Sequence, residues 1–281
     1  MASITVGQYY PSGSVLHRLD PRTKLFGSGM LIISLFISNN AVCYGIATFF
    51  LVSVIVLSKV PLMYMLKGMK GILFLLVLSV SFQLFMTPGE HVLFQFWILK
   101  VNLEGVIRAV YMMMRLSYLI IGSSLLTLTT TPNDLTDGME KSLGFLKKLG
   151  VPIHEMAMMM SIALRFIPIL VEETEKIIAA QKARGADFES GNLISRGKAL
   201  IPVLVPLFIS AFRRAGDLAM AMEARCYHGG EGRTKMKPLV YTAKDRLAYL
   251  ILLLYLVLVI FGRIAPLLFS ELDGLTLFYS L

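Results

Sequence analysis

Ala179-Ala-Gln-Lys-Ala-Arg-Gly185 and, further along the chain, Ala221-Met-Glu-Ala-Arg-Cys226 each close a long helical pattern. Each ends in an arginine set between small residues, Ala183-Arg184-Gly185 and Ala224-Arg225-Cys226. Small neighbours let another backbone come close to the guanidinium, and Gly185 is a helix-stopping residue. Taken singly, such an arginine is an ordinary helix terminus, favoured by the macrodipole. Taken as a pair, the two suit docking into a groove or a carboxylate cluster on another protein. The chain around them decides between these readings.

That chain has 281 residues, of which 56% are hydrophobic and only 16% charged, against about 25% charged in a soluble domain. Its mean hydropathy of +0.70 points to a membrane protein. The formal net charge of +9 suits nucleic acid, anionic lipid or cytoplasmic loops, and the placement of the basic residues distinguishes these. The two cysteines, Cys43 and Cys226, form neither a disulfide framework nor a metal-binding spacing.

Residues 1–24 are polar and read as a cytoplasmic N-terminal segment without the pattern of a cleaved signal. Residues 25–129 hold four expected spans: Leu25–Ser38, Ala41–Ser58, Gly71–Met86 and about Leu103–Leu128. Trp97, in the loop before the fourth, fits an interfacial aromatic. From about 130 to 243 the character changes. Thr131-Pro132-Asn133-Asp134 is a strong helix start, with a hydroxyl cap, proline at the first position and acid in the first turn. A short helix to about Lys148 and two long amphipathic helices follow, Ile153–Arg184 with an expected kink at Pro168 and Leu193–Arg225. The last span is expected at Leu247–Phe261, within a segment 244–281 that ends in a short tail. The expected fold is thus an all-α integral membrane protein: about five transmembrane helices, with a domain of long amphipathic helices inserted before the last. Those inserted helices are too charged for lipid and too apolar to float free, which suits the membrane surface.

Arg18, Arg22 and Lys24, then Lys59, Lys67 and Lys70, then the basic residues of the insert all fall on one side. The positive-inside rule therefore puts the N-terminus and the insert in the cytoplasm and the C-terminus outside. The basic excess is topological, and no nucleic-acid partner is expected. The insert also lacks the aromatic interleaving that nucleic-acid binding uses.

Catalytic patterns are weak. Gly191-Asn-Leu-Ile-Ser-Arg-Gly-Lys-Ala199 has the wrong glycine spacing for a phosphate loop and lacks its Ser/Thr. His154-Glu-Met-Ala-Met158 lacks the second histidine of a zinc-protease helix. No enzyme is expected, no metal site and no directly bound cofactor. Arg115 sits mid-span, where facing lipid would cost roughly 2.5–3.5 kcal/mol. It is therefore expected to make a polar contact inside the membrane, either an internal ion pair or carbonyl cap or the wall of a substrate or partner path. The 17 methionines read mainly as adaptable packing.

The opening Leu16-His-Arg-Leu-Asp-Pro-Arg-Thr-Lys24, the Leu126–Thr131 stretch leading into Pro132-Asn-Asp-Leu135, and the two Ala-Arg motifs together resemble the transmembrane T component of energy-coupling factor (ECF) type ABC transporters. The resemblance covers residues 14 to 262, and Cys226 departs from the family's Ala-Arg-Gly form. It implies a non-catalytic subunit of the bacterial plasma membrane. Two ABC-type ATPase subunits, which use ATP and magnesium, would dock on Ala183, Arg184 and Gly185 and on Ala224, Arg225 and Cys226. A separate membrane S component would capture a vitamin or other micronutrient. Two Arg motifs in one chain speak against the alternative, a conventional ABC importer permease with its own substrate path. A secondary transporter would show inverted repeats, and none is apparent.

Overall fold

The computed structural model describes residues 9–65, 71–88, 92–96, 99–188, 192–229, 236 and 238–273. Trp97, Lys67 and Lys70 lie outside them. The chain divides into two compact units. One comprises Gly7–Met139 with Leu239–Leu281, and the other Glu140–Pro238.

In the first unit, α1 (Pro21–Ile37) begins where Asp20 caps it: the Arg22 amide donates to Asp20 Oδ1 at 2.9 Å, and proline takes the first helical position. The Leu-Asp-Pro-Arg-Thr-Lys opening is thus a helix start, four residues earlier than the expected span at Leu25. The helices α2 (Ala41–Ser58), α3 (Leu73–Met86) and α4 (Leu103–Thr129) follow, and α8 (Ala243–Asp273) closes the unit. Between α3 and α4 lies an antiparallel hairpin of β1 (Val92–Phe96) and β2 (Leu99–Asn102), where the sequence reading expected only loop. The last helix runs through Gly262-Arg263 to Asp273 and does not stop at Phe261.

Helix α1 packs on α4 and α8, and α2 packs on both as well. Leu31, Leu35, Ala47, Leu51, Leu125 and Leu128 form the centre of the core. Polar groups within it are satisfied locally: Ser34 Oγ bonds the Leu31 carbonyl and the Tyr255 hydroxyl, and Thr48 joins Tyr118. Two arginines close the C-terminal end of α1. Arg115 donates to the Ser38 carbonyl at 2.9 Å and to the Tyr44 hydroxyl at 3.1 Å, and Arg263 to the Ile37 carbonyl at 3.3 Å. A mid-sequence charge of α4 therefore serves as a cap on the last carbonyls of α1.

The other end of this unit is held by a polar clasp. Asp245 is fully buried and accepts from the amides of Asp20 and Thr242, both at 2.8 Å, and from the hydroxyls of Thr242 and Thr23. It thereby caps α8 and ties it to the start of α1. Arg22 bonds Asp20 and the Leu239 carbonyl and lies over the Tyr241 ring. The short helix α5 (Pro132–Ser142) is opened by Thr131, whose hydroxyl accepts from the Asp134 amide. It crosses so close to α1 that a Cβ at Gly138 would stand 2.9 Å from Pro21 Cβ. The segments that lead into and out of the insert therefore both rest on Pro21-Arg22.

The second unit contains a 3₁₀ turn (Gly144–Leu149) and two long helices, α6 (Ile153–Ala183) and α7 (Leu193–Ala224), which pack on each other. Five described helices are long and apolar enough to cross a membrane: α2, α4, α6, α7 from Arg196, and α8 over Ala243–Ile264. Three of these match expected spans. The other two expected spans form helices of 17 and 14 residues, α1 and α3, shorter than the ~20 residues of a perpendicular crossing. α6 qualifies because its first half is apolar and its charges collect after Leu170.

Candidate functional site

The two Ala-Arg motifs sit at the C-terminal ends of α6 and α7 and share one backbone arrangement. Arg184 follows the last helical residue with φ −87° and ψ 5°, and Arg225 does so with φ −93° and ψ 16°. The next residue is left-handed in both, Gly185 at φ 88° and Cys226 at φ 54°. The hydrogen bonds repeat as well. The Gly185 amide bonds the Lys182 carbonyl at 3.0 Å and the Ala186 amide bonds Gln181 at 3.0 Å. The Cys226 amide bonds Glu223 at 2.8 Å and the Tyr227 amide bonds Met222 at 3.1 Å. This paired 5→2 and 6→1 pattern is a Schellman cap. It turns the chain sharply away and leaves the arginine at the lip of the helix.

Both guanidiniums are exposed, as are Ala183, Gly185, Ala224 and Cys226. Among the described residues neither Arg184 nor Arg225 has a side-chain hydrogen bond or ion pair. Arg214 is paired with Glu173, and Arg22 with Asp20, whereas Arg165, Arg196 and Arg213 resemble Arg184 and Arg225 in having no such partner among the described residues, so the helix-end position is what sets the two apart. Two fixed, free, planar donors at helix ends are suited to bidentate capture of carboxylates or carbonyls on another chain.

The helices that carry them are tied together along their length. Glu173 of α6 receives Arg214 of α7 through two nitrogens, at 2.8 and 3.2 Å, and also the Ser210 hydroxyl. Gln181 Nε2 donates to the Pro202 carbonyl at 3.3 Å. Pro206, four residues on, has no N–H to offer that carbonyl, so Gln181 supplies the missing donor. Nearer the start of α6, Phe166 and Ile162 share an apolar groove of about 280 Å³ with Leu218 and Met222. His154, in the first turn of α6, bonds Glu140 at 3.0 Å. Residues late in α6 thus meet residues early in α7, and the converse. The pair is antiparallel, and its two arginine-bearing ends lie at opposite extremes, on the order of 35 Å apart by helix rise.

Helix α7 also leaves Ile201, Leu204, Phe208 and Phe212 exposed, Phe212 by 75%. Their spacing puts them on one face. Arg115 is remote in sequence from these features and belongs to the first unit. Cys43 is buried there, and Cys226 is exposed; both are free thiols.

The sequence shows that both long helical patterns end in an Ala-Arg-small motif, but not the cap geometry, the Glu173–Arg214 pair or the Gln181–Pro202 contact. Pro206 was the available signal for the last, since an interior proline always strands a carbonyl one turn back.

Residues 12–236 match the family CbiQ, described as cobalt transport protein. The chain is 54% identical to the energy-coupling factor transporter transmembrane protein EcfT of Clostridium kluyveri, over 93% of this chain and 97% of that protein. It is 50% identical to the protein of the same name from Thermosediminibacter oceani, over 89% and 94% of the two chains. With the Bacillus subtilis EcfT the identity is 47%, over 94% and 99%.

Proposed function

The chain belongs to the family of energy-coupling factor transporter transmembrane proteins, and from that premise we propose that it couples ATP hydrolysis in two partner subunits to substrate release from a third. It is a multi-pass membrane protein and a transport component. Two ABC-type ATPase subunits, which hold the ATP and magnesium, each take one arginine: Arg184 in one subunit, Arg225 in the other. Flanking Ala183, Gly185, Ala224 and Cys226 admit the partner's backbone. An S component that binds a vitamin or other micronutrient rests on the membrane helices and on the apolar face of α7. The N-terminus and the insert are cytoplasmic, and the C-terminus is external.

The observation that carries this reading is the duplication of one arginine-presenting cap at the two far ends of an antiparallel helix pair. A two-subunit motor that closes on ATP needs two separate handles of the same design. A rigid pair joining them converts closure into a tilt or a change of crossing angle. The exposed face of α7 supports the third contact, since such a surface needs cover in water or lipid headgroups.

The test is charge reversal. Arg184→Glu and Arg225→Glu are expected to abolish co-purification with the ATPases and ATP-dependent uptake in vesicles, while the chain still inserts. Normal assembly and uptake in both variants would end the assignment.

A further inference from the structure

The first unit contains a cavity of about 470 Å³ that the coupling role does not use. It lies where the start of α1, the end of α2, the end of α4 and the start of α8 come together with residues 15–19. Its long walls are aliphatic and aromatic, with Leu31, Phe50, Val54, Leu126 and Ile251 among them. Lys24, Lys244, Thr23 and Thr129 line one end of it and Ser28 stands a turn further along α1; the Thr23 hydroxyl donates to Asp245 and the Thr129 hydroxyl to the Leu125 carbonyl, which leaves the two lysines as the groups for a charged head. From Lys244 to Leu252 the wall on α8 runs about 12 Å by helix rise, against ~15 Å for one leaflet of a ~30 Å hydrocarbon core.

We propose that this cavity binds an anionic phospholipid, with one acyl chain along the α2–α8 wall and the phosphate between Lys24 and Lys244. The volume falls within the roughly 300–1,000 Å³ of small-molecule sites. No carboxylate lines it among the described residues. Of the carboxylates near Lys24, Asp20 and Asp245 are held by Arg22 and by the amides and hydroxyls of the clasp, and Asp134 accepts the Thr131 hydroxyl. Lys24 donates to the carbonyls of His17 at 3.2 Å and Thr129 at 2.9 Å. An ammonium has three donors, so one remains for a phosphate oxygen. Lys244 is exposed at the rim. The site is distinct from the arginine-tipped helix ends.

The experiment places the full chain, purified with whatever subunits accompany it, in nanodiscs of equimolar phosphatidylglycerol and phosphatidylcholine. Native mass spectrometry then reads the retained lipid. The expected result is retained phosphatidylglycerol, favoured over phosphatidylcholine by about fivefold or more. Lys244→Gln, at an exposed position that leaves the fold intact, lowers that preference by about fivefold. Ala248→Phe, which fills the cavity from α8, removes retained lipid of both kinds. Equal retention of the two lipids by the unaltered chain, an unchanged preference in Lys244→Gln, or wild-type retention in Ala248→Phe each overturns the proposal. So does an absence of retained lipid combined with crosslinking of an Ile251→Cys variant to a partner membrane subunit, which would assign the cavity to a protein segment.

Discussion

The ends of α6 and α7 repeat one backbone design and differ in the residue that makes its turn. Both present an arginine from a Schellman cap, but α6 uses Gly185 at the left-handed position and α7 uses Cys226. Glycine adopts that backbone freely, whereas an L-residue meets a steric cost of roughly 1–2 kcal/mol. The difference separates two demands that the Ala-Arg-small pattern merges. In the proposed docking, smallness serves the approach of a partner, while the glycine serves the turn. Cys226 satisfies the first and strains the second, so the α7 end is the weaker cap carrying the same arginine.

The largest effect is expected from attacking what the two ends share. A buried charge contact that loses one member costs about 2–5 kcal/mol, at least ~30-fold in affinity. Arg184→Glu and Arg225→Glu should each release an ATPase subunit by that margin, and the double variant should show no measurable uptake. Next comes the turn itself. Gly185→Val should destabilise the α6 end by about 2 kcal/mol, while Cys226→Val should change the α7 end by less, because a side chain already stands there. Amide exchange in the last turn of each helix separates the two. Cys226→Gly should do the reverse and slow exchange at Cys226 and Tyr227, a gain of about 1 kcal/mol. A loss of protection in that variant would show that the thiol makes a contact worth more than the strain. Smallest is Gln181→Leu, which strands the Pro202 carbonyl at the α6 end alone. About 0.5 kcal/mol is expected from a partly solvated bond, read as a slightly lower thermal midpoint.

Much of this was legible in the residues, and the exceptions have physical causes. The spans α2, α4 and α8 announce themselves because eighteen or more apolar residues have few other uses. The arginine ends were legible because small residues around a charge are locally visible. The start of α1 reads late in the sequence because Asp20-Pro21-Arg22 is polar, although a capping aspartate before proline is itself a helix signal. The hairpin was hidden because Val92-Leu-Phe-Gln-Phe96 does not alternate strictly. The extension of α8 past Gly262 was hidden because a glycine there reads as a stop. In the folded chain Gly262 instead packs against Val42, Cys43 and Ile46 of α2. The clasp at Asp245 joins residues more than two hundred positions apart, and the Glu173–Arg214 pair depends on the register of two helices. Neither property is written in any window of sequence.

Pro21 and Arg22 touch both segments that connect the insert to the rest of the protein, Pro21 through Gly138 and Arg22 through the Leu239 carbonyl and the Tyr241 ring. An insertion whose two junctions share one foundation is a cassette. Residues 140–238 are therefore expected to be exchangeable with the corresponding segment of a relative, provided Pro21, Arg22, Gly138 and Tyr241 stay. A chimera built on those junctions should insert and fold, and should choose its ATPases by the origin of the cassette.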